Sequence, residues 1–358
     1  MTHPAVILVG GKGTRLRPLT ERTRKDMLPL VDRPLLAFTF EHLLRHGVSR
    51  AVLSCGYLPT QIRDVFGEEW EGLSLDYRVE DEPLDTGGAV RFAAEGLGET
   101  FFAVNGDSLR EADLGALAGF HRERGAKATI LLTPVSDPTR YGLVRLAGDG
   151  RVQSFLEKPR PEEIDTNLIN AGVYVLEPEV LDLIPPGRAV SIEREVFPRL
   201  VEEGSCYGLA LSGYWLDVGT PESYLQAHRD VLERNFETEV GALLGRDYAH
   251  VADGAAVAEG ARLIPPVFVA GSVARSTRIG SVAVIGRGAE VGADATIENS
   301  VIGEGARIGA GCTVLGESCE VRGLSIVGPG ARVGAGDRLD GGIRVAADAV
   351  IPEGALTF

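Results

Sequence analysis

The sequence predicts an α/β protein in two parts: a mixed-sheet domain over residues 1–235 and, after a linker at 236–250, a left-handed parallel β-helix over 251–358. Three observations predict it. Short apolar runs alternate with helix-like segments through the first 140 residues. An aliphatic residue returns every six positions from Ile279 onward. Glycine is concentrated in the same stretch, with 20 of the 46 glycines falling between Gly254 and Gly354.

Taken in order, residues 5–9, 50–55, 100–104 and 128–134 read as strands, and 34–46, 59–66, 86–94 and 114–124 as the helices between them. That alternation is the pattern of βαβ units around a largely parallel sheet. From about Tyr141 the candidates shorten to strands at 143–146, 152–157, 169–176 and 214–218, which complete a mixed sheet. A helix follows from Pro221 to about Arg234, with Thr220 as N-cap, Pro221 at the first helical position and Glu222 as a first-turn acid. The six-residue series then runs Ile279, Ile285, Val291 and Ile297, takes one five-residue step to Ile302, and continues through Ile308 and Val314 to Val327, Val333 and Leu339. Several members are followed at once by glycine, at Gly280, Gly286, Gly292, Gly303, Gly309, Gly328 and Gly334. A period of six is neither helical nor that of an ordinary sheet. It marks a hexapeptide β-helix, whose short strands each turn one aliphatic inward and use glycine at the corners.

The 358 residues are 44% hydrophobic and 24% charged, which excludes disorder, collagen and coiled coil. With 36 basic against 51 acidic side chains the net charge is −15, which argues against a nucleic-acid or anionic-membrane binder and for small-molecule partners. Anionic substrates stay compatible with that charge, because backbone amides, a few cations and a bound metal can reverse the field at one site. The four cysteines, Cys55, Cys206, Cys312 and Cys319, fit no zinc spacing and point to a reduced, cytoplasmic chain. The first ten residues lack the basic start and long apolar run of a signal peptide, and no stretch approaches the roughly 20 apolar residues of a membrane span.

The first strand runs into Gly10-Gly11-Lys12-Gly13-Thr14-Arg15. Three glycines in four positions let backbone amides approach a phosphate, and Arg15 can fork onto its oxygens. The segment is neither a P-loop nor the dinucleotide fingerprint, because Leu16 stands where the third glycine would be and the G-x-x-x-x-G-K-[ST] order is absent. Lysine is scarce, four against 32 arginines, so Lys25 and Lys158 stand out as compact point charges. Asn105-Gly106-Asp107 follows an apolar run, which sets Asp107 just past the carboxyl end of a strand. Open α/β sheets bind ligands there, and a carboxylate in that position can hold Mg²⁺. Asp217, between Leu216 and Val218, is a second carboxylate that burial penalises unless it is paired or metal-bound.

Together with Met27-Leu28-Pro29, the 83–89 run Pro-Leu-Asp-Thr-Gly-Gly-Ala, Glu157-Lys158-Pro159, Asn170-Ala171-Gly172 and Asp217-Val218-Gly219-Thr220-Pro221, these segments occur in an order that resembles the nucleotide-sugar pyrophosphorylases. The resemblance to this sugar-1-phosphate nucleotidyltransferase family extends over nearly the whole chain. Residues 191–198 are similar to a stretch typical of its mannose-1-phosphate guanylyltransferase subfamily. The resemblance implies a Rossmann-like catalytic domain, a nucleoside triphosphate (GTP favoured) and a sugar 1-phosphate as partners, and Mg²⁺ as cofactor; separately, the ends and flat faces of the β-helix suit association into a homo-oligomer, or regulation. It also implies roles: Gly10, Gly11, Gly13 and Thr14 wrapping the nucleotide; Arg15 and Lys25 on the triphosphate; Thr86, Gly87 and Gly88 near base and ribose. Asp107 and Asp217 would hold the metal, Lys158 would meet the sugar phosphate, and Gly142, Glu157, Asn170 and Gly172 would line the sugar.

Two positions depart from the family pattern. Asp26 replaces the proline that usually follows the motif lysine, and Asp85 replaces a glycine beside the base. The alternatives are thymidylyl or uridylyl transfer to glucose 1-phosphate, and a non-catalytic subunit that senses a nucleotide sugar, against which the two aspartates and two lysines speak. An acyltransferase, another use of hexapeptide coils, usually needs a histidine base, and all six histidines precede the regular coils.

Overall fold

The computed structural model describes residues 3–11, 13–56, 58, 60–157, 159–316 and 325–355. The chain forms two compact units, residues 1–12 with 36–215 and residues 13–35 with 216–358.

The first unit is built on a ten-stranded sheet. Its strands are β1 (Ala5–Val9), β2 (Arg50–Cys55), β3 (Glu69–Trp70), β4 (Leu73–Val79), β5 (Phe101–Asn105), β6 (Ala128–Pro134), β7 (Gly142–Leu146), β8 (Val152–Glu157), β9 (Leu168–Leu176) and β10 (Cys206–Ala210). Their order is β8-β7-β9-β5-β1-β2-β4-β3, with β6 joined to β9 and β10 to β6. The strands β5, β1, β2 and β4 are parallel, and β9 runs antiparallel to β5, β6 and β7. The parallel centre is the part that reads as continuous apolar runs: Ala5, Val6, Ile7, Ala51, Leu53, Phe101 and Ala103 have no exposed surface, as expected of strands covered on both faces.

Helices α1 (Leu35–Arg45), α2 (Thr60–Phe66), α3 (Asp85–Ala93) and α4 (Leu114–Arg124) fall where the sequence places them. Helix α4 starts on Asp113, whose side chain accepts from the Ala116 N–H, and ends on Gly125 at a φ of 56°. Three strands of this sheet were not expected, the two-residue β3 and the longer β4 and β10. In β4 buried and exposed positions alternate at its start and its end is exposed, and β10 is a five-residue strand after a polar turn; neither presents a long apolar run. Strand β9 changes partner midway. Ile169 faces Leu143 of β7, residues 173–176 pair with β5, and the register against β6 shifts between Asn170 and Tyr174. Gly172 sits in that shift at a φ of 71°, a left-handed conformation that side chains resist.

The second unit contains residues 13–35, helix α5 (Pro221–Leu232) and three all-parallel sheets. Helix α5 begins with a reciprocal cap: Ser223 N–H donates to Thr220 Oγ1 at 3.2 Å and Thr220 N–H to Ser223 Oγ at 3.0 Å. Its Tyr224 hydroxyl donates to the Pro29 carbonyl, and Val31 N–H donates to His228 Nδ1 at 3.3 Å, which fixes residues 29–31 to the helix.

The three sheets have six, six and five strands, the architecture of a left-handed parallel β-helix. Ala249 pairs with Val267, Val267 with Ala283 and Ala283 with Ser300, so each coil takes about three six-residue sides. Every aliphatic of the six-residue series from Ile279 to Leu339 is at most 4% exposed. The glycines that follow are explained by close approach. A Cβ on Gly286, Gly303, Gly309 or Gly334 would lie 2.3–2.8 Å from a backbone nitrogen of the next coil. Cys55, Cys206 and Cys312 are buried free thiols, and Cys319 lies outside the described residues. No described helix is long and apolar enough to cross a membrane.

Candidate functional site

In the first unit, β5 ends at Asn105 and the chain turns through Gly106 into Asp107. The Gly106 N–H donates to the Leu8 carbonyl at 3.0 Å. A Cβ on Gly106 would lie 2.7 Å from Val9 Cγ1, so glycine is what lets the turn lie against β1. A cavity of about 320 Å³ opens beside this turn, and Gly10, Gly11, Thr86, Asn105 and Asp107 line it together with Ser54, Glu80 and Asp85. Four of the sequence-predicted residues, Gly10, Gly11, Thr86 and Asp107, are thereby brought to one place. Gly87 and Gly88 lie elsewhere on α3: their N–H groups donate to the Val190 carbonyl at 2.7 and 3.1 Å, and neither lines the cavity. A Cβ on Gly88 would lie 2.6 Å from the Arg188 carbonyl oxygen, so packing explains these two glycines.

Thr86 opens a chain of hydrogen bonds. Its hydroxyl donates to Glu193 Oε2 at 2.6 Å, and Ser191 Oγ donates to the same oxygen at 2.9 Å. The Tyr174 hydroxyl donates to Glu193 Oε1 at 3.3 Å and accepts from Asn170 Nδ2 at 2.8 Å, while Asn170 Oδ1 accepts from the Gly172 N–H at 2.9 Å. Thr86 and Asn170 are therefore tied through Glu193, a residue for which the sequence reading assigned no role. A Cβ on Gly172 would lie 2.5 Å from Asn105 Nδ2, which sets Gly172 directly against the end of β5. Gly142 is the cross-strand partner of Glu157, and Leu143 that of Ile169, so Gly142, Glu157 and Asn170 lie on three neighbouring strands. Lys12, Lys158 and the Glu157 side chain lie outside the described residues.

Glu80 was also missed, because it begins the acidic run Glu80-Asp81-Glu82 and reads as one surface charge among several. In the cavity wall it accepts from Ser54 Oγ at 2.8 Å and from the Leu84 N–H at 3.0 Å. Asp85 adopts a φ of 57° and its Oδ1 accepts from the Thr86 N–H at 2.8 Å. Glycine takes this conformation freely, and aspartate is among the few side chains that tolerate it.

In the second unit, Gly13 adopts a φ of 60°, and a Cβ there would lie 2.9 Å from the Lys25 Cβ. Thr14 starts a short 3-10 turn, Thr14–Leu16, and is exposed. The charge at Asp26 is taken up by a neighbour: the buried Arg24 guanidinium donates to Asp26 Oδ1 and Oδ2 at 2.8 Å each. Lys25 Nζ instead lies 3.6 Å from Asp217 Oδ1. Around Gly219, a Cβ would lie 2.8 Å from Asp217 Oδ2 and 2.9 Å from Arg15 Nη2, so Arg15 and Asp217 flank this glycine. The unit thus gathers Gly13, Arg15, Lys25 and Asp217, two cations about one carboxylate. Among the described residues no three His, Cys, Asp or Glu side chains converge to hold a metal. Asp107 in the first unit and Asp217 in the second are each a hard-oxygen donor, the donor type that Mg²⁺ takes together with phosphate and water.

Residues 4–234 match the nucleotidyl transferase family, and residues 282–316 match the bacterial transferase hexapeptide family of six repeats. Mannose-1-phosphate guanylyltransferase of Mycobacterium tuberculosis is 38% identical over 314 residues, covering 87% of this chain and 82% of the relative. Mannose-1-phosphate guanyltransferase of Saccharomyces cerevisiae is 40% identical over 227 residues, 62% of each chain. Among solved structures, HddC from Yersinia pseudotuberculosis complexed with GMP-PN is similar with a TM-score of 0.56 at 30% identity, covering 64% of this chain and 99% of its own. The chain belongs to the nucleotidyl transferase family, whose substrates are a nucleoside triphosphate and a sugar 1-phosphate.

Proposed function

We propose that the chain transfers guanylyl from GTP to mannose 1-phosphate, giving GDP-mannose and pyrophosphate. The observation that carries the reading is the 38% identity to the Mycobacterium tuberculosis enzyme of that name over 314 residues, a span long enough to include both the sheet and the β-helix. In the reaction an oxygen of mannose 1-phosphate attacks the α-phosphorus of GTP. The new P–O bond forms as the α–β phosphoanhydride bond breaks, and pyrophosphate leaves without a covalent enzyme intermediate.

Two anions must meet, so the protein's part is charge neutralisation and alignment. Gly10, Gly11, Gly13 and Thr14 wrap the nucleotide, and Arg15 and Lys25 take the triphosphate. Thr86 contacts base or ribose, held in place by Glu193, while Gly87 and Gly88 let α3 lie close to residues 188–192 and so present it. Gly142, Glu157, Asn170 and Gly172 line the mannose, and Lys158 meets its phosphate. Asp107 and Asp217 are the carboxylates that would hold Mg²⁺, which supplies further neutralisation of phosphate charge when bound. The catalytic domain spans 1–235 and the 251–358 coils associate copies of a cytoplasmic enzyme; truncation after Arg246 should lower the oligomer mass, and an unchanged mass would remove the coils from assembly.

The test is a pyrophosphate-release assay pairing five nucleoside triphosphates with mannose and glucose 1-phosphates. GTP with mannose 1-phosphate should give the highest kcat/KM. A preference for dTTP or UTP with glucose 1-phosphate would replace the reading, and product binding with no release under any pairing would make the chain a sensor.

A further inference from the structure

Arg110 was singled out neither by the sequence nor by the family resemblance. Its side chain reaches back under the turn that carries Asp107: Nη2 donates to the Asn105 carbonyl, to the Ser108 carbonyl at 3.0 Å and to Ser108 Oγ at 2.7 Å. Arg110 is 5% exposed, and among the described residues Nε and Nη1 have no hydrogen-bond partner. The Arg110 charge is felt by His42 of α1, which is 3% exposed and has no hydrogen-bond partner for either ring nitrogen among the described residues. Burial and the Arg110 charge, with smaller contributions from His46 and Arg45, hold its imidazole neutral. The Asp107 carboxylate is near enough to offset part of the effect of burial on the guanidinium, which stands at about 10.

Such an arrangement is a poor way to stabilise a fold. Three buried N–H donors, one on Nε and two on Nη1, carry a desolvation penalty without acceptors to offset it, and buried charges replaced by apolar groups of similar volume are often neutral or stabilising. The three bonds of Nη2 do have one geometric effect: they fix both sides of Gly106-Asp107, the Asn105 carbonyl before it and Ser108 after it.

We infer that Arg110 is a positioning residue, which clamps the Asn105–Ser108 turn so that the Asp107 carboxylate is presented in one orientation. The inference rests on the assignment of Asp107 to the metal. Arg110 touches no reacting atom, and its effect is transmitted through Asp107.

Arg110→Met and Arg110→Lys test it, beside the wild type. Calorimetric titration with GTP is run once with a chelator and once with Mg²⁺, and kcat and melting temperature are measured on the same preparations. Arg110→Met should melt within a few degrees of wild type and bind GTP equally in chelator. It should lose about tenfold of the Mg²⁺-dependent gain in GTP affinity and about 10–100-fold in kcat, the range for outer-shell partners of metal ligands. Arg110→Lys, which keeps a charge and can keep some of the bonds, should fall between. Wild-type kcat with a wild-type Mg²⁺ gain in Arg110→Met would overturn the inference. So would losses that only track a smaller folded fraction, since that is a structural role. If the wild type releases no pyrophosphate, the assigned reaction falls, while the two-condition titration still decides whether Arg110 acts on the metal-dependent step.

Discussion

Gly172→Ala separates backbone strain from displacement of the site. At a φ of 71° alanine is strained by about 1–2 kcal/mol. Its Cβ would also lie 2.5 Å from Asn105 Nδ2 and 3.0 Å from Asn105 Cγ, against an ordinary contact of roughly 3.5 Å, so Asn105 must retreat by about 1 Å. Asn105 immediately precedes Gly106-Asp107, and a misplacement of that size near a reacting centre typically lowers the rate by about 10²-fold. The control is Gly125→Ala: it has a φ of 56° at the end of α4 with nothing within 4 Å of the added Cβ, so it carries the strain without the collision. Both variants should melt a few degrees lower, and only Gly172→Ala should lose about 10²-fold in kcat/KM for pyrophosphate release. Equal kcat/KM in the two variants would refute the argument that Gly172 is needed to seat Asn105.

Asp107→Asn and Asp217→Asn should each lower turnover by orders of magnitude with unchanged circular dichroism; near-wild-type turnover in either removes that residue from the metal site. Glu193→Gln keeps the volume but puts an amide nitrogen where one of two accepting oxygens stood, so at least one bond from Thr86, Ser191 or Tyr174 is lost. A rise of about tenfold in the KM for GTP is expected, corresponding to about 1.4 kcal/mol, and an unchanged KM would take Glu193 out of the nucleotide subsite. Asp85→Gly should be stable to within about 1 kcal/mol and active, since the conformation there suits glycine; loss of GTP selectivity would instead make Asp85 a base-reading group. His228 is held at about 3, against 6.5 unfolded, chiefly by burial. The folded state therefore refuses a proton that the unfolded chain accepts, and stability present above pH 6.5 declines as pH falls toward 3. The decline is about 1.4 kcal/mol per unit for one such histidine, so His228→Phe should flatten denaturant midpoints between pH 6 and 4. An unchanged slope would contradict the shift.

The elements written in local periodicity were legible: the parallel strands as apolar runs, α5 from Thr220-Pro221, and the coils from a six-residue phase that each inward aliphatic must keep to stay at most 4% exposed. Partly exposed β4 and short β10 were not, since neither offers such a run. Glycine was readable as a marker but not its cause: Gly88 and Gly309 are excluded volumes set by a distant backbone, which no spacing encodes. The same limit hid Glu193, 107 residues from the Thr86 it holds, and Arg110, whose meaning lies in where its guanidinium folds back. Asp26 adjoins Lys25 in sequence, which shows adjacency and not direction; in the fold its carboxylate accepts from Arg24.

The proposed reaction is a direct displacement between two bound phosphates. The measurement that tests this most directly follows pyrophosphate and GDP-mannose together from enzyme, GTP and Mg²⁺, before and after mannose 1-phosphate is added. Pyrophosphate should appear only after the addition and in a one-to-one ratio with GDP-mannose. Pyrophosphate released without the sugar phosphate, or no GDP-mannose with both substrates present, would contradict it.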